Sequence, residues 1–259
     1  RQLSQAERSL SQAESTHAEW QAKRAQLPGG HPDERIERAR AVGESIRESV
    51  VYLSVGSGQA TGWFIDDGLV MTNAHNVAFG GQLHGSVTGY TLDGTELDFD
   101  VVDFVETNSP DIALLRTGTN RPALPMATDS ELDPAQPLVM VGHPGGVGHW
   151  VVSLGLFVDR AGGGSTDTQY SPSDGSAPVE VPSLTTSIPG RQGNSGSPIV
   201  NMDGKVVAML NASETHDQDE QSGQAPVAEP VIYDWPVAPR AWSIAVPVEQ
   251  VREKYEAWS

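Results

Sequence analysis

The 259-residue chain contains no cysteine, which excludes a disulfide framework, a thiol nucleophile and thiolate metal ligation. No apolar run reaches the roughly 18 residues needed for a membrane-spanning helix, so no membrane span is expected. Basic charge is scarce. Against 34 Asp and Glu stand 16 Lys and Arg, a formal net charge of −18, and only Lys23, Lys205 and Lys254 are lysines. A surface this acidic repels phosphate backbones and anionic lipid, so nucleic acid is not an expected partner. Dense metal-ligand patterns such as His-Glu-x-x-His are missing, and Asp217, Asp219 and Glu220 lack an ordered calcium-ligand spacing; neither metal nor cofactor is expected. The chain begins at Arg1 rather than methionine and shows no signal peptide. The reading expects a targeting segment outside this sequence and an extracellular or cell-envelope location.

Glycine and proline are plentiful: 27 Gly and 18 Pro punctuate short apolar runs, the pattern of an all-β protein with many turns. Thr61 to Ile65 and Leu69 to Thr72 flank the turn Asp66-Asp67-Gly68, a hairpin signal. Further strands are expected at 87–92, 99–105, 112–116, 138–142, 150–158, 180–187, 198–201, 205–211 and 242–246. Helices are expected over 1–27, from Pro32-Asp33 onward, and over Val248 to Trp258. In the first of these, Leu3, Ala6, Leu10, Ala13, Trp20 and Leu27 fall at alternating steps of three and four, with His17 and Arg24 filling two of the seam positions; it reads as a solvated helix or as a self-association helix forming a homo-oligomer. Residues 161–178 and 213–240 read as long surface loops. The expected organisation is an N-terminal helical extension over 1–48, a first β-barrel over 49–128, a connector over 129–137, and a second β-barrel with a C-terminal helix over 138–259.

Three motifs carry chemistry. Gly193-Asn194-Ser195-Gly196-Ser197-Pro198 presents a serine on a glycine-flanked turn. Thr72-Asn73-Ala74-His75 supplies a histidine and Asp111-Ile112-Ala113-Leu114-Leu115 an aspartate. The order His, Asp, Ser is one in which the acyl-transfer triad recurs. A serine hydroxyl needs a base to attack a carbonyl, which His75 can be; Asp111 would orient the imidazole and stabilise its cation. The amides of Gly193 and Ser195 are the candidate oxyanion hole, because glycine reaches backbone conformations that aim both amides at one point. His143, in Gly142-His143-Pro144-Gly145, reads as a structural turn residue, and His84, His149 and His216 as surface residues.

These segments, with Gly62-Trp63-Phe64-Ile65, Val70-Met71 and Trp242-Ser243-Ile244-Ala245-Val246-Pro247, resemble chymotrypsin-fold (trypsin-like) serine proteases, in particular the HtrA/DegP-like and glutamyl-endopeptidase-like branches. The resemblance covers residues 48 to 257. It implies two six-stranded antiparallel β-barrels with the active site in the cleft, His75 and Asp111 from the first and Ser195 from the second. It implies a protein or peptide substrate laid along the edge strand at Leu210, Asn211 and Ala212, and a specificity pocket walled by Thr186, Ser187 and Ile188 together with that strand. No acid stands at the pocket's base, so a small or medium uncharged residue is expected before the scissile bond. Asn194 stands where animal digestive relatives carry an aspartate paired with a newly cut N-terminus, so that activation switch is not expected. The reading is a serine endopeptidase; its alternatives are a catalytically latent protein-binding module of the same fold and an α/β-hydrolase esterase, whose Ser, Asp, His order this chain does not have.

Overall fold

The computed structural model describes residues 32–105, 110–128, 132–145, 147–161, 169–170, 179–180, 183–214 and 242–259. The expected helix over 1–27, with its self-association reading, the acidic run 217–220 and most of the two long loops lie outside them. A helix α1 spans Pro32–Ile46, and a single 3-10 turn, Arg47–Ser49, leads into the first strand.

Six strands close the first barrel: β1 (Val50–Val55), β2 (Gly58–Asp66), β3 (Leu69–Thr72), β6 (Val87–Tyr90), β7 (Glu96–Val105) and β8 (Ile112–Arg116), in the order β1-β2-β3-β8-β7-β6. Neighbours are antiparallel throughout, with β6 returning to pair β1 at Tyr52↔Tyr90. Alternation along the strands decides what lies inside. On β7, Leu97 and Phe99 are buried while Glu96, Asp98 and Asp100 face water, the period of two that a half-buried strand requires. The interior holds Val51, Leu53, Phe64, Val70, Leu97, Phe99 and Leu115. Between β3 and β6 the chain makes a one-turn helix α2 (Ala74–Val77) and a small hairpin of β4 (Ala78–Phe79) and β5 (Gln82–Leu83).

The second barrel repeats the plan with β9 (Pro137–Gly142), β10 (Val151–Ala161), β13 (Ser183–Thr186), β14 (Pro198–Val200), β15 (Val206–Glu214) and β16 (Trp242–Pro247), in the order β10-β13-β16-β15-β14-β9. A separate two-stranded ladder joins β11 (Gln169–Tyr170) and β12 (Val179–Glu180). Leu138, Met140, Phe157, Leu184, Ile188, Ile199, Leu210 and Ala245 fill the interior. The architecture is the expected all-β pair of six-stranded antiparallel barrels.

Main-chain and side-chain bonds tie the barrels together. The crossing segment donates Leu124 N–H to Phe64 O (2.9 Å) and exchanges bonds with β15, Ala127 N–H to Val206 O (2.8 Å) and Val206 N–H to Pro125 O (2.8 Å). Trp150, ahead of β10, donates its indole N–H to Val50 O of β1 at 2.9 Å. The closing helix α3 (Val248–Trp258) buries Val248 and Val251. It then fastens three places: Glu249 to Arg160 of β10 (2.8 Å), Arg252 to the Ala127 carbonyl, and the Tyr255 hydroxyl to Asp66 at the end of β2 (2.5 Å). Among the described residues no helix is long and apolar enough to cross a membrane.

His143 follows β9 and is fully buried, its ring packed against Tyr52, His149 and Trp150 at centroid distances of 5.4, 5.6 and 4.7 Å. The Trp150 N–H donates to His143 Nδ1 at 3.2 Å, which puts the ring proton on Nε2, a buried atom without a well-formed hydrogen bond. Burial lowers the pKa to about 3; the charge of His149 adds to the lowering, and the Val51 main chain opposes it more weakly. The fold therefore holds the neutral ring, whereas the unfolded chain takes up this proton near pH ~6.5. Stability present above that pH is lost as pH falls from about 6.5 towards 3, with a slope of up to about 1.4 kcal/mol per pH unit from this one group. His143→Gln should flatten the fall of unfolding free energy between pH 7 and 4 by up to that slope. Denaturant titrations across the range measure it; equal slopes in the two proteins would show that His143 does not titrate on unfolding.

Candidate active site

The first barrel supplies an acid and an imidazole. Asp111 sits just ahead of β8, only 7% exposed, because the strand behind it (Ile112 to Leu115) is drawn wholly into the barrel. Its carboxylate grips His75 twice. Oδ1 accepts the His75 backbone N–H at 2.8 Å, and Oδ2 meets the ring Nδ1 in a short hydrogen bond. Asn73, buried at the end of β3, donates its side-chain amide to the Asp111 carbonyl at 2.9 Å, so the aspartate's main chain is held as well as its side chain. The His75 side chain itself is 45% exposed. One face of the imidazole is anchored and the other is open, as a base that must reach a reactant requires.

The second barrel supplies the serine turn. Gly193 has φ +94° and Gly196 φ +87°, the left-handed region where a side chain is strained. Space forbids one too: a Cβ on Gly193 would lie 2.3 Å from His143 O, and one on Gly196 would lie 2.1 Å from Thr61 O. These close approaches come from bonds across the cleft. Thr61 N–H donates to Ser195 O (3.0 Å), and the Asn76 side-chain amide donates to the same carbonyl (3.1 Å). On the other side Gly196 N–H donates to Leu210 O and Leu210 N–H to Ser197 O, both at 2.9 Å. The serine turn is thus pinned to β2, to α2 beside His75, and to β15.

Backbone orientation follows from the same bonds. Gly145 N–H donates to Gln192 O at 2.8 Å. In a planar trans peptide the N–H points opposite to the C=O, so the Gly193 N–H is aimed away from Gly145. Among the described residues neither Gly193 N nor Ser195 N has an acceptor, which leaves two amides of one turn available to an external oxygen. The Ser195 hydroxyl is half-buried and donates to the Asn211 carbonyl at 3.3 Å; no hydrogen bond joins it to His75. Asn194 is buried, with its side-chain oxygen unpartnered.

The expected pocket residues fall into two groups. Thr186, Ile188 and Leu210 are buried at 0, 0 and 2% exposure, and Ile188 and Leu210 are part of the barrel core. Ser187 and Asn211 are half-buried. Ala212 pairs Ile244 across a register shift at Asn211. The segment carrying Ser187 and Ile188 is fixed by main-chain and hydroxyl bonds: Leu156 N–H to Ser187 Oγ (2.9 Å), Ser187 N–H to Leu156 O (3.0 Å), and Ser243 Oγ–H to Ile188 O (2.6 Å). Thr61, Asn76 and Gly145 were not among the expected site residues. The one sequence signal for Thr61 is a hydroxyl inside the otherwise apolar run Ala60 to Ile65.

Known proteins resemble this chain in sequence and in fold. The probable periplasmic serine endoprotease, DegP-like, of Halomonas elongata is 33% identical over 159 residues, 60% of this chain and 29% of that protein. Serine protease HTRA1B of Danio rerio is 28% identical over 170 residues, 64% of this chain and 33% of that protein. The chain thus spans about a third of the length of these curated relatives. Among solved structures, the active form of the Rv3671c protease from M. tuberculosis superposes with a TM-score of 0.63 at 21% identity, covering 84% of each chain, a likeness of fold. The family model for the trypsin-like peptidase domain matches residues 60–209, from β2 through the serine turn to β15, and the chain belongs to the trypsin-like peptidase family.

Proposed function

We propose that the chain is a serine endopeptidase in which Ser195 is the nucleophile, His75 the general base and acid, Asp111 the group that orients His75, and the amides of Gly193 and Ser195 the oxyanion hole. The observation that carries this reading is the double grip of Asp111 on His75, with the Ser195 carbonyl bonded to Asn76 beside that histidine. Rotation about the Ser195 Cα–Cβ bond takes the hydroxyl from Asn211 O towards His75 Nε2. As Oγ bonds to the substrate carbonyl carbon, its proton passes to Nε2, and the carbonyl π electrons move onto the oxygen facing the two amides. Collapse breaks the C–N bond; His75 returns the proton to the leaving amine, giving an acyl-enzyme. Water repeats the sequence and releases Ser195. Each amide of the hole contributes about 3 kcal/mol of transition-state stabilisation.

The substrate is proposed to be an unfolded or extended protein segment paired along Leu210 to Ala212, with an uncharged small or medium residue before the cleaved bond, since positions 183–190 and 206–211 contain no Asp or Glu. The location proposed is the cell envelope or outside it, as the word periplasmic in the relative's name suggests. A latent binding module of this fold is the second reading, and the Ser195 bond to Asn211 instead of His75 is the observation that favours it. Digestion of a mixed peptide library separates them. The endopeptidase produces cleavage mainly after Ala, Val, Leu or similar residues. No cleavage at any pH supports the module, and cleavage mainly after Glu, Arg or Lys rejects the pocket assignment.

A further inference from the structure

We infer that Thr61, on β2 of the first barrel, is the positioning residue for the oxyanion hole built by the second. The inference rests on the roles proposed for Ser195 and Gly193. Its ground is the use of one buried hydroxyl for two main-chain partners, at Gly193 and His143. Thr61 is fully buried. Its Oγ1 accepts the His143 N–H at 3.2 Å and donates its single proton to the Gly193 carbonyl at 2.8 Å.

The Gly193 carbonyl belongs to the peptide linking Gly193 to Asn194, and its direction sets the plane of the unit that leads into Ser195. The peptide before it is held by Gly145 N–H on Gln192 O. With both carbonyls anchored, the Gly193 N–H lying between them has little freedom to turn. Gln59, two residues before Thr61, donates its side-chain amide to His143 O at 3.2 Å, so β2 holds the 143–145 turn by that residue's N–H and C=O together. The Thr61 main chain adds a hold on the Ser195 carbonyl. Its own carbonyl accepts the Thr72 hydroxyl at 2.7 Å, and Thr72 Oγ1 accepts Asn76 at 2.9 Å. A continuous polar chain therefore runs from the Gly193 carbonyl through Thr61 and Thr72 to α2, the helix that carries His75. Thr61 would touch no substrate; it acts through the peptide plane of Gly193.

A hydroxyl that only satisfied buried groups would affect stability alone. A positioning hydroxyl affects turnover at constant binding. Thr61→Val keeps the shape and removes both bonds; Thr61→Ser keeps the hydroxyl. On peptide p-nitroanilides with Ala or Val at the cleaved position, Thr61→Val should lower kcat 10- to 100-fold, the scale of misplacing one hole donor by a fraction of an ångström. KM should stay within threefold, and Thr61→Ser should restore kcat to within threefold of wild type. Amide hydrogen exchange over residues 190–196, read by mass spectrometry, should speed up in Thr61→Val and return to the wild-type rate in Thr61→Ser. Should the valine variant not fold, Thr61→Ala takes its place with the same expectations. Wild-type kcat in the variant lacking the hydroxyl, an equal loss in Thr61→Ser, or unchanged exchange at 190–196 would overturn the inference. Unchanged turnover in Ser195→Ala would instead sink the nucleophile assignment, and the exchange measurement would still decide whether Thr61 holds the loop.

Discussion

Replacing Ser195 by alanine should lower kcat/KM by about 10⁴- to 10⁶-fold while the protein folds as before. The size follows from what remains. The two amides proposed as the hole and the strand proposed to bind substrate would stay in place and keep a residual acceleration of about 10³- to 10⁴-fold over water, but the proposed covalent path would be closed, with no hydroxyl for His75 to activate. The loss corresponds to about 5 to 8 kcal/mol of transition-state stabilisation. Stability should change little. The Ser195 side chain makes one bond, to Asn211 O at 3.3 Å, while the turn is held by the Ser195 carbonyl, by Gly196 N–H and by Ser197 N–H. Initial rates on peptide p-nitroanilides, beside a thermal melt, check both halves.

Asp111→Asn should cost about 10⁴-fold in kcat with KM nearly unchanged. Asp111 uses both carboxylate oxygens as acceptors, one for the His75 backbone N–H and one for ring Nδ1. An asparagine can keep only one. With its oxygen on the backbone N–H, its amide donates to Nδ1 and forces the ring proton to Nε2, the atom proposed to receive the serine proton. With its oxygen on Nδ1, an N–H faces the backbone N–H of His75 and the helix start is repelled. The first arrangement disables the base and keeps the fold; the second keeps the tautomer but loses the hold on the His75 backbone. Steady-state rates on the same substrates measure the effect; a loss under tenfold would mean that Asp111 does not set the tautomer of His75.

Local signals carried much of the architecture. The hairpin at Asp66-Asp67-Gly68, the strand at 112–116 and a helix following Pro32 each have turn, alternation or helix-start residues that act over a few positions, and the structure has these elements. Elements without such signals did not show. The helix Ala74–Val77 is too short for a helical period, and the hairpin of β4 and β5 has strands of two residues. The strand expected over 99–105 begins at Glu96, because Glu96 and Asp98 face water and their strand character comes from pairing with Tyr90 and Thr88. The strand expected over 205–211 runs on to Glu214 across a register shift, since β16 continues to pair it. Barrel closure also decided which side chains of the specificity segment face inward: Ile188 and Leu210 fill the core, and a stretch read only as motif neighbours does not disclose its inner face. The bonds of Thr61 to Gly193 and His143 join positions 132 and 82 residues apart, a distance no local pattern spans.

Ser195 is turned to Asn211, a carbonyl of the strand along which substrate is proposed to lie. A substrate N–H arriving at that carbonyl would compete with the Ser195 hydroxyl and free it to turn towards His75. At the proposed hole, Gly193 N and Ser195 N lack acceptors among the described residues, and the carbonyls of Gln192, Gly193 and Ser195 are each anchored.

The most direct measurement is covalent labelling of the folded protein with a fluorophosphonate, read by intact mass and peptide mapping beside Ser195→Ala. The account predicts one adduct per wild-type chain, on Ser195, and none on the alanine variant. A folded wild-type protein that stays unlabelled, or an adduct that persists in Ser195→Ala, would contradict it.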